Sequence, residues 1–313
     1  MRILILGAGA IGGYIGAGLT GAGAEVRFLA RGERLKQLKT DGLIVQSPLG
    51  DIATSVRASD RPDPSFAPHV VLLTCKAPAL EAAIAAVAPC ITDQTRILPF
   101  LNGVSHIETL RSRFPENEIW GGIAHGALTL RPDGVVAHLS PFFSAIVGNP
   151  AGPGDDVAIS FVETLKKTGM DARLSDMIVQ DMWNKFVFLT TLAGMTCLMR
   201  ASVGTILQTK DGLNLVRQHF NECLSVARKE GFPPDAESVR SYLALLTQAG
   251  SSLTSSMLRD VESNKETECD HILGDMLERA ARHGLSTPLL TICQTHLQCY
   301  EAMRRSRNHD GLS

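Results

Sequence analysis

The stretch LILGAGAIGG, residues 4–13, limits what this chain can fold into more than any other. It places Gly7, Gly9 and Gly12 in a G-x-G-x-x-G spacing directly behind the apolar run at 2–6 and at the head of a small-residue helical pattern through Gly21. The first glycine of such a turn permits the tight bend, the second lets backbone approach a pyrophosphate, and the third lets helix and strand pack closely. The N-terminus of the following helix adds N–H groups and the positive end of its dipole. Glycines also occur simply to bend a chain, but a strand before the turn and a helix after it favour dinucleotide binding.

A second strand pattern at 25–30, EVRFLA, completes a βαβ opening. Parallel strands of this kind need a crossover helix between them. Further apolar runs at 69–75 and 96–101 alternate with helical patterns at 78–88 and 105–113, which predicts a parallel sheet with helices on both faces. Two segments read instead as hairpins appended to that sheet, GLIVQSPLGDIATSV around a Ser-Pro-Leu-Gly turn and ALTLRPDGVVAHL around Pro-Asp-Gly. A helix at 157–168 and a strand at 170–174 close the first domain, 1–173. From residue 174 to 313 the pattern is helical throughout, with helices expected at 213–230 and 267–283. The fold class is therefore α/β, a Rossmann-type domain with appended hairpins followed by an all-α domain. The last residues, RRSRNHDGLS, read as a fraying tail.

The end of the second strand selects the cofactor. An NAD enzyme places Asp or Glu there to hold the ribose 2'-hydroxyl. This chain reads FLARGER, with Ala30 and Arg31 at that point. A guanidinium suits the 2'-phosphate of NADP through bidentate contacts, so NADPH is preferred over NADH. The competing reading of Arg31 is a solvated surface arginine.

Composition excludes other partners. A net charge of −2, with 20% charged and 44% hydrophobic residues, gives a globular chain without a basic field for nucleic acid or an anionic membrane. No apolar run reaches the length of a membrane span. Seven cysteines without a C-x-x-C pair read as reduced thiols in the cytoplasm, and no spacing supports a metal site. The helical half offers surfaces for a homodimer, although no stripe declares an interface.

The stretch DMWNKFVFLTTLAGM, residues 181–195, carries the most unusual side chain. At helical spacing Lys185 shares a face with Phe188, Leu189 and Leu192, which should be dry. Desolvation favours a neutral lysine and lowers its pKa, which would tune Lys185 as a proton donor to an alkoxide. A lysine snorkelling at a domain edge is the alternative. His125, among small residues, reads as structural.

Taken in order, GAGAIGG with LARG, LTCKAP at 73–78, FLNGV at 100–104, AHGA at 124–127, GVVAHL at 134–139, WNKF at 183–186 and SSMLRDVESNKETECD at 255–270 resemble the ketopantoate reductases (2-dehydropantoate 2-reductases) over nearly the whole chain. That resemblance implies NADPH-dependent reduction of a 2-oxo acid, ketopantoate to pantoate in the pantothenate pathway. It implies Lys185 as catalytic lysine and Glu268 as the carboxylate beside the substrate oxygen and the nicotinamide ribose. Ser256 would bind the substrate carboxylate. Gly7, Ala8, Gly9, Ala10, Ile11 and Gly12 would form the phosphate turn. Lys76 and Asn102 would lie at the cofactor, Asn102 also near the substrate, and Ala127 would supply backbone there. Read without the resemblance, Glu268 could merely complement a helix dipole, Ser256 could be a cap, and Asn102-Gly103 could be an ordinary turn.

The chain departs from the family at one wall of the pocket. Asparagines expected four and eight residues after the catalytic lysine are Leu189 and Ala193 here. Loss of two amides leaves buried polar substrate groups without partners and suits a larger or less polar 2-oxo acid. The rival readings are a related Rossmann/helical hydroxyacid dehydrogenase acting on such an acid, and a non-catalytic NADP-binding sensor.

Overall fold

The computed structural model describes residues 1–310. It divides into two compact units, Met1–Val179 and the chain from Gln180 onward. In the first unit the chain forms β1 (Arg2–Leu6), β2 (Glu25–Leu29), β3 (Leu43–Gln46), β4 (Ile52–Thr54), β5 (Arg57–Ser59) and β6 (Val70–Leu73). It continues with β7 (Arg96–Pro99), β8 (Gly121–His125), β9 (Leu128–Leu130), β10 (Val136–His138), β11 (Ser144–Gly148) and β12 (Asp171–Leu174). Helices α1 (Ala10–Gly21), α2 (Gly32–Thr40), α3 (Leu80–Val87), α4 (His106–Arg113) and α5 (Asp156–Lys167) belong to the same unit.

The main sheet has the order β5-β2-β1-β6-β7 and is parallel throughout. β6 is buried at every residue, as a strand covered on both faces must be. The chain winds outward from β1 on one side and resumes with β6 on the other. The order therefore reverses between β1 and β6, the place where open α/β sheets hold ligands beyond the strands' carboxyl ends.

The two hairpins form, with β3 antiparallel to β4 and β9 antiparallel to β10. They are not appended to the main sheet, however, because β3 pairs in parallel with β10 to make a separate sheet, β4-β3-β10-β9. Its apolar side faces α1. A Cβ added to Gly13 would meet Val136 at 2.7 Å and Leu43 at 3.5 Å. β11 pairs in parallel with the predicted closing strand, β12, and antiparallel with β8, in a third sheet. Ile15, Leu19, Phe28, Trp120 and Phe161 lie at the centre of this unit's core.

The second unit is helical, with no strand among its described residues. It contains most of α6 (Ile178–Met199), then α7 (Val203–Leu207), α8 (Gly212–Lys229), α9 (Ala236–Leu246), α10 (Ser256–Glu262), α11 (Asp275–Arg282) and α12 (Pro288–Asp310). The division falls after Val179 rather than after residue 173. The first turn of α6 explains the difference: Ile178 is buried, and its Cβ would lie 2.7 Å from a Cβ placed on Gly148 of β11. The single helix expected at 267–283 is split into a π-helical turn at Asp270–Gly274 and α11. α12 carries the chain as helix to Asp310, and the rest of the expected tail lies outside the described residues.

Long-range contacts fix the ends of these helices. The buried Glu222 of α8 accepts the backbone N–H of Leu290 at 2.9 Å and of Leu289 at 3.3 Å, supplying α12 with an N-terminal cap from another element. Arg279 of α11, also buried, bonds Asp275 at 2.8 Å and Glu230 at 2.5 Å. Its guanidinium lies 5.2 Å from the ring of Trp183 in α6, and Trp183 stacks on Phe232 at 5.7 Å. No disulfide forms among the described residues.

Candidate active site

In the main sheet, Leu6, Leu29, Leu73 and Pro99 stand in one register row across four strands. Each strand then ends in the same direction, which gathers at one end the segments that follow: Gly7–Gly12, Ala30-Arg31, Thr74–Lys76 and Phe100–Asn102. Backbone bonds continue the row one residue further, Gly7 N–H to the Leu29 carbonyl at 3.3 Å, Thr74 N–H to Leu6 at 3.0 Å and Phe100 N–H to Leu73 at 2.8 Å. The parallel topology therefore brings Arg31, Lys76, Asn102 and the glycine turn to one edge. Arg31 and Lys76 are exposed there, and Asn102 is half-buried.

The three glycines differ in what surrounds them. Gly7 has φ +101°, a conformation that favours glycine, and Thr74 packs against it. A Cβ on Gly12 would lie 2.0 Å from the Gly7 carbonyl oxygen and 2.3 Å from the Thr74 hydroxyl. A Cβ on Gly9 would meet nothing within 4 Å. The open side at Gly9 leaves room that a phosphate group could take, beside the first N–H groups of α1, which have no preceding helical turn to bond.

The carbonyls of this turn are held from behind. The Thr74 hydroxyl donates to the Gly7 carbonyl at 2.6 Å and to the Leu6 carbonyl at 3.1 Å. Arg34, one turn into α2, donates its Nε–H to the Ala8 carbonyl at 2.6 Å and an Nη1–H to the Gly134 carbonyl at 2.7 Å. Burial lowers the Arg34 pKa. Neither Thr74 nor Arg34 is among the residues the motifs single out. The signal for Arg34 was its place three residues after Arg31, on the same side of α2.

Ala127 lies apart from the main sheet, between β8 and β9. Its N–H donates to the Ser140 hydroxyl at 3.0 Å, and its carbonyl accepts from the Leu139 N–H at 2.7 Å. The carbonyl's second lone pair is the part of this backbone that can serve a ligand. His125 ends β8 opposite Ser144 of β11 and is half-buried.

In the helical unit, α6 is anchored around Lys185. Asn184 donates to the Ser238 hydroxyl of α9 at 3.2 Å, Phe188 stacks on Tyr242 of α9 at 4.8 Å, and Thr196 shares a 2.9 Å hydrogen bond with Ser255. Phe186, Val187, Leu192 and Ala193 are buried, whereas Phe188, Leu189 and Lys185 itself keep part of their surface. Of the stripe expected to be dry only Leu192 is buried; Lys185, Phe188 and Leu189 are half-buried. Burial pushes the Lys185 pKa down to about 8, and the Glu268 carboxylate within electrostatic reach opposes the shift.

Glu268 is positioned from α12. Glu301, buried, accepts the N–H and the hydroxyl of Thr267, each at 2.8 Å, and is itself held by Arg304 at 2.9 Å. The Glu268 carbonyl accepts from Ile272 N–H at 3.0 Å, two residues before the π-helical turn at Asp270–Gly274, a feature that often marks functional sites. Ser256 is the first residue of α10 and is exposed; its neighbour Ser255 caps the helix by accepting the Leu258 N–H at 3.0 Å. Lys185 and Glu268 are thus electrically coupled in one unit, with Ser256 tied to the Lys185 helix through the Ser255–Thr196 bond.

A parallel sheet bearing this glycine turn, followed by a helical unit that desolvates a lysine near a glutamate, defines a two-domain oxidoreductase of the Rossmann type. The chain belongs to the ketopantoate reductase PanE/ApbA family, whose N-terminal model matches residues 3–151 and whose C-terminal model matches residues 177–301. It is 33% identical over 302 residues to an uncharacterized oxidoreductase, YkpB, of Bacillus subtilis strain 168, with 96% of this chain and 99% of that protein covered. A PanE/ApbA family ketopantoate reductase from Ralstonia eutropha JMP134 has the same fold, with a TM-score of 0.88, 23% identity, and 97% of this chain and 100% of that one covered. So does D-mandelate dehydrogenase, solved with NADH and anilino(oxo)acetate, at a TM-score of 0.87 and 22% identity over 97% of this chain and 99% of that one.

Proposed function

We propose that this chain reduces a 2-oxo acid to a 2-hydroxy acid with NADPH, in the manner of a 2-dehydropantoate 2-reductase but on a substrate less polar than ketopantoate. What supports the chemistry is a half-buried lysine in the helical unit, Lys185 of α6, whose desolvation lowers its pKa to about 8 with the Glu268 carboxylate within electrostatic reach. A lysine so shifted is protonated at neutral pH yet gives up its proton far more readily than a solvated one. When bound, NADPH supplies the hydride that reduces the carbonyl carbon. Lys185 gives one proton to the carbonyl oxygen and is left as a neutral amine, which solvent reprotonates. Glu268 holds the ammonium in place, and Ser256 offers a hydroxyl to the acid's carboxylate. The glycine turn, Lys76, Asn102 and the carbonyl of Ala127 hold the nucleotide, and Arg31 takes its 2'-phosphate.

Support for the less polar substrate comes from Leu189 and the buried Ala193, which offer methyl groups where amides would hydrogen-bond. Apolar walls reward apolar substrates and leave a substrate hydroxyl unpartnered. A fold neighbour captures anilino(oxo)acetate, an oxo acid with an aromatic group. NADPH consumption with a panel running from ketopantoate to branched and aryl 2-oxo acids tests the reading. The expected order places the apolar acids above ketopantoate in kcat/KM, and NADPH above NADH. Preference for ketopantoate sinks the substrate assignment, and no turnover with any 2-oxo acid sinks the reductase. The rate of reduction should fall as pH rises through about 8, because the proton donor is then lost. Lys185→Ala should remove most of kcat and that pH limb while NADPH still binds.

A further inference from the structure

We infer that Arg34 is a positioning residue of the nucleotide turn: by holding the Ala8 carbonyl it aims the Gly9 N–H at the cofactor's pyrophosphate. The inference rests on the reading that this turn holds NADPH.

The Ala8–Gly9 peptide plane turns about ψ of Ala8 and φ of Gly9, and Gly9 has no side chain to restrain the second of these. In a planar trans peptide the C=O and the N–H point in opposite directions. Fixing the oxygen therefore fixes the hydrogen. Arg34 Nε lies 2.6 Å from the Ala8 oxygen, a charge-assisted bond and so among the stronger kinds. The guanidinium does not swing with the turn, because its Nη1 is bonded to the Gly134 carbonyl in the β9–β10 loop at 2.7 Å. Thr74 treats the preceding peptide in the same way, with its hydroxyl 2.6 Å from the Gly7 oxygen. Two successive carbonyls are thereby turned into the protein, and the N–H groups of Ala8 and Gly9 are turned toward the open side where a Cβ on Gly9 would meet no atom within 4 Å. Without Arg34 the Ala8 oxygen could rotate toward that side and present a partial negative charge to a phosphate.

The test compares two ligands on the full chain. NADPH engages the turn, whereas adenosine 2'-monophosphate carries the adenine and the 2'-phosphate but no pyrophosphate. Arg34→Ala should weaken NADPH binding by about tenfold or more, the loss typical of a hydrogen bond to a charged group, and leave adenosine 2'-monophosphate binding unchanged. Unchanged NADPH affinity overturns the inference. Equal weakening of both ligands also overturns it, since Arg34 would then serve the 2'-phosphate or the fold at large. Asp133→Ala is the control, because Asp133 braces the same loop, accepting the Val135 N–H at 3.1 Å and the Arg131 Nε–H at 3.2 Å, without a bond to Arg34 or Ala8. It should leave NADPH affinity intact, and a loss matching that of Arg34→Ala assigns the effect to the loop and sinks the proposal. Should the alanine variant not fold, Arg34→Lys keeps the charge but cannot bridge both carbonyls, and the same split between ligands is expected. Failure of the unaltered chain to bind NADPH would instead overturn the nucleotide reading itself, a result visible before any variant is made.

Discussion

A methyl group on Gly9 would meet nothing within 4 Å, whereas one on Gly12 would come within 2.0 Å of the Gly7 carbonyl oxygen. The same substitution therefore separates ligand binding from folding. Gly9→Ala, at a φ of −76° that alanine adopts without strain, should keep the melting temperature of the unaltered chain and weaken NADPH binding. Gly12→Ala should destabilise the first unit by about 1 to 3 kcal/mol through overpacking. Thermal melts and NADPH titrations of both variants check this, and loss of stability in Gly9→Ala would contradict it. The two glycines were legible in the sequence because the turn, the strand before it and the helix after it are adjacent in the chain. Arg34 was not, because its partner carbonyls belong to residues 8 and 134, far from it in sequence.

At the scale of elements, the start of α10 joins stability to the site. Ser255 accepts the Leu258 N–H as a helix cap, and it shares a hydrogen bond with Thr196 of α6. Ser255→Ala should cost about 1 kcal/mol from the cap and loosen Ser256 beside it. We expect a lower melting temperature and a raised KM for the 2-oxo acid, with KM for NADPH unaltered. An unaltered KM for the acid would remove Ser256 from the substrate site. The sequence shows Ser255-Ser256 as a helix start, but it does not show that Thr196 lies against it. The same holds for Glu301, which braces Thr267 next to Glu268, and for Glu222, which caps α12. Each is an acidic residue on an amphipathic helix, and nothing local distinguishes it from a solvated one.

At the scale of the whole molecule, His219 ties stability to pH. It is fully buried in α8, and neither ring nitrogen makes a well-formed hydrogen bond. Burial pushes its pKa down to about 4 from 6.5, with the Thr191 backbone opposing in part. Between those values the unfolded chain binds a proton that the folded chain refuses. Stability is therefore lost as pH falls from about 6.5 toward 4, by up to about 3 kcal/mol, and this contribution is constant above that window. Denaturant unfolding at a series of pH values should show this acid slope, reduced in His219→Leu; an identical slope in the variant would refute it. The sequence by itself determined the βαβ opening, the glycine turn, the succession of strands and helices, and the change to an all-helical half. Those features follow from periodicity and backbone preferences set by neighbouring residues. Only the tertiary structure decided that β3 pairs with β10 in a separate sheet, that Arg34 and Thr74 hold the turn's carbonyls, and how far the Lys185 face is desolvated within electrostatic reach of Glu268. Pairing and desolvation depend on which distant segments meet, and a linear pattern does not encode that.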